Sequence, residues 1–148
     1  MITWRQARRD DVPAIIALLA DDALGAAREG ETPSAYFAAF EAIQAESGNS
    51  LIVGEQEGAI VATYQLTFIT GLSRRASRRA QVESVRVQDD LRSRGIGAEL
   101  MRDAEARARA AGCTLIQLTS DKTRARAQSF YLTMGYNPSH TGFKKPLV

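Results

Sequence analysis

The chain has 148 residues, of which 45% are hydrophobic and 24% charged, and its formal net charge is +2. This length predicts one domain, residues 1–148, that buries a core without disulfides or a metal, and it excludes a chain disordered throughout. The sequence has no apolar run long enough to span a membrane, no signal-peptide pattern and a single cysteine, so we expect a cytoplasmic protein without membrane contacts.

Charge is unevenly distributed along the chain. Residues 1–60 contain four Arg and ten Asp or Glu, a net −6, whereas residues 61–148 contain 15 Arg or Lys and seven acids, a net +8. The C-terminal half is therefore expected to bind an anion. Cys113 and His140 are too few ligands for a zinc site, so no metal is expected.

Hydrophobic periodicity and turn residues predict the element order β-α-α-β-β-β-α-β-α-β. The first predicted elements are strand 2–8, a helix beginning at Asp10, a helix from Thr32 to Gly48, and a hairpin of strands 51–53 and 59–62 around Glu57-Gly58. After a basic loop at 71–78 come strand 82–87, helix 95–111, strand 113–118, helix 124–134 and a last extended stretch from Gly135. Hairpin strands are antiparallel and a β-α-β crossover is parallel, so the predicted class is an α/β domain with a mixed sheet flanked by helices.

The most informative segment is 85–98, where a strand runs through a short loop into a helix opened by Gly95 and Gly97. Free N–H groups and the dipole at a helix start favour phosphate, and Arg92 and Arg94 can add charge-assisted hydrogen bonds. We predict a pyrophosphate site, the alternative being a helix whose first turn is merely rich in glycine.

Two common phosphate motifs do not fit this segment. A dinucleotide fingerprint requires a third glycine where Leu100 stands, and a P-loop requires a Gly-Lys-Ser/Thr run that is absent.

The run R-x-x-G-x-G from Arg92 to Gly97 resembles the Q/R-x-x-G-x-G/A signature of the GNAT superfamily, the acetyl-CoA-dependent N-acetyltransferases. Val85 and Val87 are similar to the hydrophobic pair that precedes this loop in the family. The stretch Phe130–Tyr136 resembles the later F-Y-x-x-x-G-F/Y motif, about 35 residues further on. The order of elements also agrees, so the resemblance covers nearly the whole chain.

The resemblance implies that acetyl-CoA binds between two splayed parallel strands, 82–87 and 113–118. Backbone groups near Val85 and Val87 would hold the pantetheine arm. The residues implied for the pyrophosphate are Arg92, Ser93, Arg94, Gly95, Ile96, Gly97 and Ala98. Many family members carry Asn where this chain has Arg124, so Arg124 could pair with a phosphate instead, and Ser120 could act as a substitute hydrogen-bond donor.

Glu83 is the candidate general base for direct attack of an amine on the thioester. Strand alternation predicts that Glu83, Val85 and Val87 share one face, with the carboxylate partly buried beside apolar neighbours. The alternative is a Glu83 that faces solvent or pairs with Arg79 or Arg86.

Tyr131 is the candidate general acid, because a phenol can protonate a strongly basic leaving thiolate. Its alternative role is packing, since Ala127, Phe130, Tyr131 and Met134 form one helical stripe.

The expected acceptor is a primary amine of a small molecule, recognised by residues 21–40 and 71–79; a protein or peptide amine and a non-catalytic CoA-binding domain are the alternatives. Four acids favour a cationic acceptor: Asp21, Asp22, Glu29 and Glu31. The arginines at 74, 75, 78 and 79 could meet nucleic acid, the 3′-phosphate of coenzyme A or solvent. No nucleic-acid module fits, so no such partner is expected. The resemblance leaves open a homodimer, which is common in the family.

Overall fold

The computed structural model describes residues 1–21 and 33–148, which form two compact units, Met1–Gln117 and Leu118–Val148. Thr32 and three of the four acids proposed for the acceptor, Asp22, Glu29 and Glu31, lie outside the described residues. Within the described ranges, no helix has both the length and the apolar character needed to cross a membrane.

The first unit is built on a five-stranded sheet whose strand order follows the chain. Its strands are β1 (Thr3–Gln6), β2 (Asn49–Gln56), β3 (Ala59–Thr70), β4 (Arg78–Val87) and β5 (Leu115–Leu118), the last residue of β5 belonging to the second unit. Its longer α-helices are α1 (Val12–Leu19), α2 (Pro33–Ala45) and α3 (Ile96–Ala110), and a single helical turn spans Ser73–Ala76. The second unit contains α4 (Ala125–Thr133).

The sheet is mixed, as predicted. Strands β1 to β4 pair antiparallel. At β5 the Thr114 N–H donates to the Arg78 carbonyl at 2.9 Å, and Gln117 Nε2 donates to Gln81 Oε1 at 2.7 Å. Both contacts have the same offset along the chain, so β5 runs parallel to β4, as a β-α-β crossover requires. The predicted α/β class is confirmed.

Turn residues define the elements largely where the sequence predicts them. Glu57 (φ 50°) and Gly58 (φ 82°) have the two consecutive positive φ angles of a tight hairpin turn, and β2 and β3 extend beyond the predicted strands. Gly95 (φ 83°) and Gly112 (φ 81°) bracket α3, one just before its first residue and the other two residues after its last.

The two faces of the sheet carry different helices. On one face, Val53 of β2 packs in a buried cluster with Val12 and Ile15 of α1 and Phe40 of α2. On the other face lies α3, which buries Leu100, Met101 and Ala104 along one side. Helix α2, which belongs to the predicted acceptor region, and helix α3, which follows the predicted cofactor segment, therefore lie on opposite faces of the sheet.

Two predicted elements are wrong. The basic loop is shorter than expected, because β4 begins at Arg78 and not at Val82. The last strand is absent: residues 137–148 are neither helix nor strand. Its backbone bonds are local, from Tyr136 N to Tyr131 O and from Ser139 N to Asn137 O, and the prolines and glycine beyond residue 136 interrupt any ladder.

An ion pair joins β1 to the start of α1. Arg5 Nη1 lies 2.7 Å from Asp11 Oδ2, and the same guanidinium lies 2.7 Å from Glu55 of β2. The Arg8 N–H also donates to Asp11. The Arg5 hydrogen bond is the main reason why the pKa of Asp11 lies below its usual range, although burial opposes it. Asp11 is therefore charged in the folded protein at neutral pH.

Replacing Asp11 by Asn should lower the free energy of unfolding at pH 7 by about 1–3 kcal/mol, because the largely buried Arg5 loses one of its two carboxylate partners. A carboxyl group whose pKa is lower in the folded than in the unfolded protein stabilises the fold at pH values above its unfolded pKa. This contribution to the free energy of unfolding is lost as the pH falls through the folded-state pKa. Urea unfolding at pH 7 and pH 3 should show a smaller pH effect in Asp11→Asn than in the wild type. Asp10→Asn, at an exposed position in the same turn, is the control; equal losses in the two variants would contradict this role.

Candidate functional site

A β-bulge interrupts β4 at the position of the predicted base. Gln65 of β3 pairs with Glu83, but Thr63, only two residues away, pairs with Arg86, three residues further along β4. The extra residue is accommodated at Ser84, whose φ of 54° is left-handed and uncommon for a residue with a side chain. Such bulges bend a strand and remove a residue from the hydrogen-bonded ladder.

The bulge changes which residues share a face, so the prediction that Glu83, Val85 and Val87 do so is wrong. Glu83 is opposite Gln65, whereas Val87 is opposite Ala62, an odd number of residues away on β3. Because paired residues face the same side and β3 alternates here, Glu83 and Val87 lie on opposite faces. A single inserted residue is enough to invert the expected alternation.

Glu83 is also exposed, contrary to the expected partial burial. Neither alternative ion pair forms: in the described part of the chain the Glu83 carboxylate makes no hydrogen bond or salt bridge with Arg79, Arg86 or any other residue. The carboxylate is therefore open to solvent and to an incoming ligand, on the face that carries α1 and α2.

A cavity of about 120 Å³ lies on this face, between the helices and the bulge. Helices α1 and α2 line it with apolar side chains, including Ile16, Leu19 and Phe40, while Gln65 and Ser84 contribute at the sheet.

The predicted glycine turn follows β4 and opens α3. Gly95 has a φ of 83°, and a Cβ built there would meet no atom within 4 Å, so open space lies beside the turn. No side chain caps the helix start; the first N–H with a partner in the helix is that of Glu99, which donates to Gly95 O. The amides of Ile96, Gly97 and Ala98 therefore precede the first helical hydrogen bond, an arrangement that favours an anion.

The two arginines of the turn differ in environment. Arg92 lies 2.8 Å from Asp89 and 4.0 Å from Asp21, and its Nε donates to Val87 O at 3.3 Å, so it braces the loop against β4. Arg94 is exposed and has no ion-pair partner among the described residues. Arg94 is thus the more accessible cation. The neighbouring Ser93 has a left-handed φ of 67°, which helps the chain turn into Gly95.

A polar network that the sequence did not predict fixes α3 on the sheet. The buried Tyr64 hydroxyl donates to Asp103 Oδ2 at 2.5 Å, and Arg107 Nε donates to the same oxygen at 2.8 Å. Arg107 also donates to the Trp4 carbonyl, and the Trp4 indole donates to Glu99. Burial raises the pKa of Tyr64, which keeps its donor proton at any ordinary pH. The spacing of residues 99, 103 and 107 places them on one side of the helix, which the sequence could have shown. Their partners Trp4 and Tyr64 are distant in sequence, so the network itself had no local signal.

In the second unit, Tyr131 is half-buried on α4 among aromatic rings. Its ring centroid lies 5.2 Å from that of Phe130 and 5.9 Å from that of Tyr136, both in edge-to-face geometry. The predicted stripe is confirmed, because Ala127 and Met134 are also half-buried while the other α4 residues are exposed. Packing against these rings thus fixes the orientation of the Tyr131 side chain.

The remaining second-unit candidates lie before and at the start of α4. Ser120 and Arg124 are both half-buried, and Arg124 is the residue immediately before the helix.

The arginine cluster is divided by the fold. Arg78 and Arg79 belong to β4, and Arg78 Nη1 donates to Ala111 O at 2.7 Å. Arg74 and Arg75 are exposed and line an open cavity of about 430 Å³ at the start of β4. The glycine turn follows the other end of this ten-residue strand, about 30 Å away at the rise of a β-strand. The two basic features therefore lie at opposite ends of β4, which argues against their sharing one cofactor.

The profile of the acetyltransferase (GNAT) family matches residues 12–136 of the chain. A stretch of 67 residues is 37% identical to the aminoalkylphosphonate N-acetyltransferase of Salmonella typhimurium strain LT2, covering 45% of this chain and 44% of that relative. This chain therefore aligns with less than half the length of that relative.

Solved structures resemble the whole chain. One from Bacillus halodurans C-125, described as a transcriptional regulator, is 39% identical, with a TM-score of 0.95 over 99% of this chain and 100% of that one. A predicted acetyltransferase from Clostridium acetobutylicum, solved with acetyl-CoA, is 16% identical, with a TM-score of 0.77 over 99% of this chain and 97% of that one. At that identity the second likeness shows the fold alone.

Proposed function

Because the chain belongs to the acetyltransferase (GNAT) family, a class of acyl-CoA-dependent N-acyltransferases, we propose that it moves an acetyl group from acetyl-CoA to a primary amine of a small molecule. The observation that carries this proposal is the uncapped start of α3 behind Gly95, a left-handed glycine with open space beside it. The proposal treats residues 1–148 as one domain.

The proposed cofactor site uses the backbone more than side chains. The amides of Ile96, Gly97 and Ala98, together with the turn from Arg92 to Gly95, bind the pyrophosphate, and Arg94 adds a positive charge. Backbone groups of Val85 and Val87 bind the pantetheine arm, and the bulge beside Val85 interrupts the β3–β4 ladder there. Support comes from the fold relative that was solved with acetyl-CoA.

Glu83 acts in this proposal as the general base. The cofactor supplies an acetyl thioester, whose carbonyl carbon bonds to the amine nitrogen as the carbon–sulfur bond breaks. The exposed and unpaired Glu83 carboxylate accepts the proton of the acceptor ammonium, directly or through water. Its exposure supports access by an acceptor.

Tyr131 acts as the general acid that returns a proton to the leaving sulfur. The two neighbouring rings hold its phenol in one orientation, which favours proton transfer to a fixed position. Ser120 and Arg124 are proposed as additional hydrogen-bond and phosphate contacts of the same cofactor.

A small-molecule acceptor is supported by the Salmonella relative, which is named for an aminoalkylphosphonate. The alternatives are a protein or peptide amine and a CoA-binding domain without turnover. Nucleic-acid binding has little support in the cluster that suggested it, because Arg78 belongs to β4 and donates to the backbone. Location in the cytoplasm and dimerisation stay expectations of the sequence.

Purified protein should release thiol from acetyl-CoA only when a primary amine is added, and Gly95→Asp should abolish both this turnover and coenzyme A binding. The new carboxylate would lie at the proposed pyrophosphate site and repel it. Calorimetric titration with coenzyme A should show affinity reduced by at least about tenfold, equivalent to about 1.4 kcal/mol.

The matched control for this experiment is Gly112→Asp. Gly112 flanks the other end of α3, with a similar φ of 81° and no atom within 4 Å of an added Cβ. Both variants therefore carry similar backbone strain, but only Gly95→Asp should lose coenzyme A binding. Unaltered binding in Gly95→Asp would refute the pyrophosphate assignment.

Replacing Glu83 by Gln should lower kcat by about 100-fold or more, because the amide cannot accept a proton, while coenzyme A affinity is unchanged. The decrease of kcat/KM at low pH should also disappear. Tyr131→Phe provides the comparison, since it should lower kcat but keep that decrease. A wild-type pH–rate profile in Glu83→Gln would show that another group is the base.

A further inference from the structure

The cavity between the α1–α2 pair and the β4 bulge bears most directly on which acceptor the protein can bind. None of the described residues that line it is acidic or basic. Its walls come from apolar positions on both helices, among them Ile16, Leu19 and Ile43. A charged group placed there would lose its hydration without gaining an opposite charge from any described lining residue, which is strongly unfavourable.

Two polar side chains at the sheet side of this cavity, those of Thr63 and Gln65, already have partners. The Thr63 hydroxyl donates to Ile52 O at 2.9 Å, and Gln65 Nε2 donates to Asn49 Oδ1 at 2.9 Å. A ligand is therefore not needed to satisfy these donors, and the cavity favours an apolar group.

The cavity adjoins the proposed base. Ser84, which follows Glu83 in the bulge, lines it, and so does Gln65, the cross-strand partner of Glu83. Paired residues face the same side of a sheet, so Glu83 and the cavity share the α1–α2 face. An acceptor whose nitrogen meets Glu83 can thus direct its substituent into the cavity.

We propose that this cavity selects amines with an uncharged, apolar substituent no larger than about a benzene ring, a size set by analogy with cavities of about 150 Å³ that bind benzene. The inference rests on the proposed acetyl transfer and narrows its substrate class. It differs from the cationic acceptor expected from the acids near residue 21, three of which lie outside the described residues, because the described lining residues include no acid. A phosphonate is disfavoured because the described lining residues include no cation either.

Steady-state kinetics with an amine series tests the proposal. The apolar members are 3-methylbutylamine and benzylamine; the others are methylamine, putrescine and 2-aminoethylphosphonate. With acetyl-CoA saturating, kcat/KM should be at least about tenfold higher for the apolar members, a ratio typical of an apolar pocket. A preference for putrescine or the phosphonate would overturn the proposal.

Two neighbouring alanines of α2 provide a matched pair of variants. Ala39 lines the cavity and Ala38 does not, although both are exposed on the same helix. Ala39→Leu should fill part of the cavity and lower kcat/KM for the apolar amines about tenfold, leaving methylamine unaffected. Ala38→Leu should leave every ratio at the wild-type value. An unchanged ratio in Ala39→Leu would overturn the assignment.

A binding measurement separates this inference from the proposed function. Failure of every amine to release thiol would refute acetyl transfer, but titration with benzylamine, followed by amide chemical shifts, would still decide the role of the cavity. Shifts at Ile16, Ala39 and Ser84 that are lost in Ala39→Leu support it. Their absence would overturn it.

Discussion

The hydrogen bond between Tyr64 and Asp103 joins the sheet to the helix on which the proposed cofactor site depends. Tyr64 lies on β3, with its ring fully buried, and Asp103 lies in the middle of α3. Because Arg107 donates to the same carboxylate and to the β1 backbone, α3 is held at two points along its length. Separating the buried phenol from the carboxylate would leave both groups without a hydrogen-bond partner, which costs free energy. The position of α3 on the sheet is therefore strongly specified. The start of α3, with its free amides, is thereby fixed on the sheet.

The second constraint is the bulge at Ser84, which gives β4 two roles. Before the bulge, Glu83 faces the α1–α2 side, where the apolar cavity lies; after it, Val87 faces the other side. A regular strand would put both on one face. In the proposed mechanism, the same strand can therefore present a base to the acceptor and backbone groups to the cofactor.

Local signals in the sequence were sufficient for much of this fold. The hairpin at Glu57-Gly58 and the bounds of α3 depend on residues that favour a positive φ or end a helix, and these effects act over a few residues. The glycine turn was predicted for the same reason. The bulge was not, because a one-residue shift depends on the pairing between β3 and β4. The bond from Tyr64 to Asp103 joins residues 39 apart and has no local signature. Arg92 was expected to meet phosphate; it contacts Asp89, three residues earlier, and Asp21, which only the fold brings near.

In the proposed function, the start of α3 binds the pyrophosphate of a CoA thioester. Amide chemical shifts recorded during titration with coenzyme A test this binding site directly. The largest changes are expected at Ile96, Gly97 and Ala98, with no change at Arg74 and Arg75 at the far end of β4. Changes confined to Arg74 and Arg75, with the α3 amides unaffected, would contradict it.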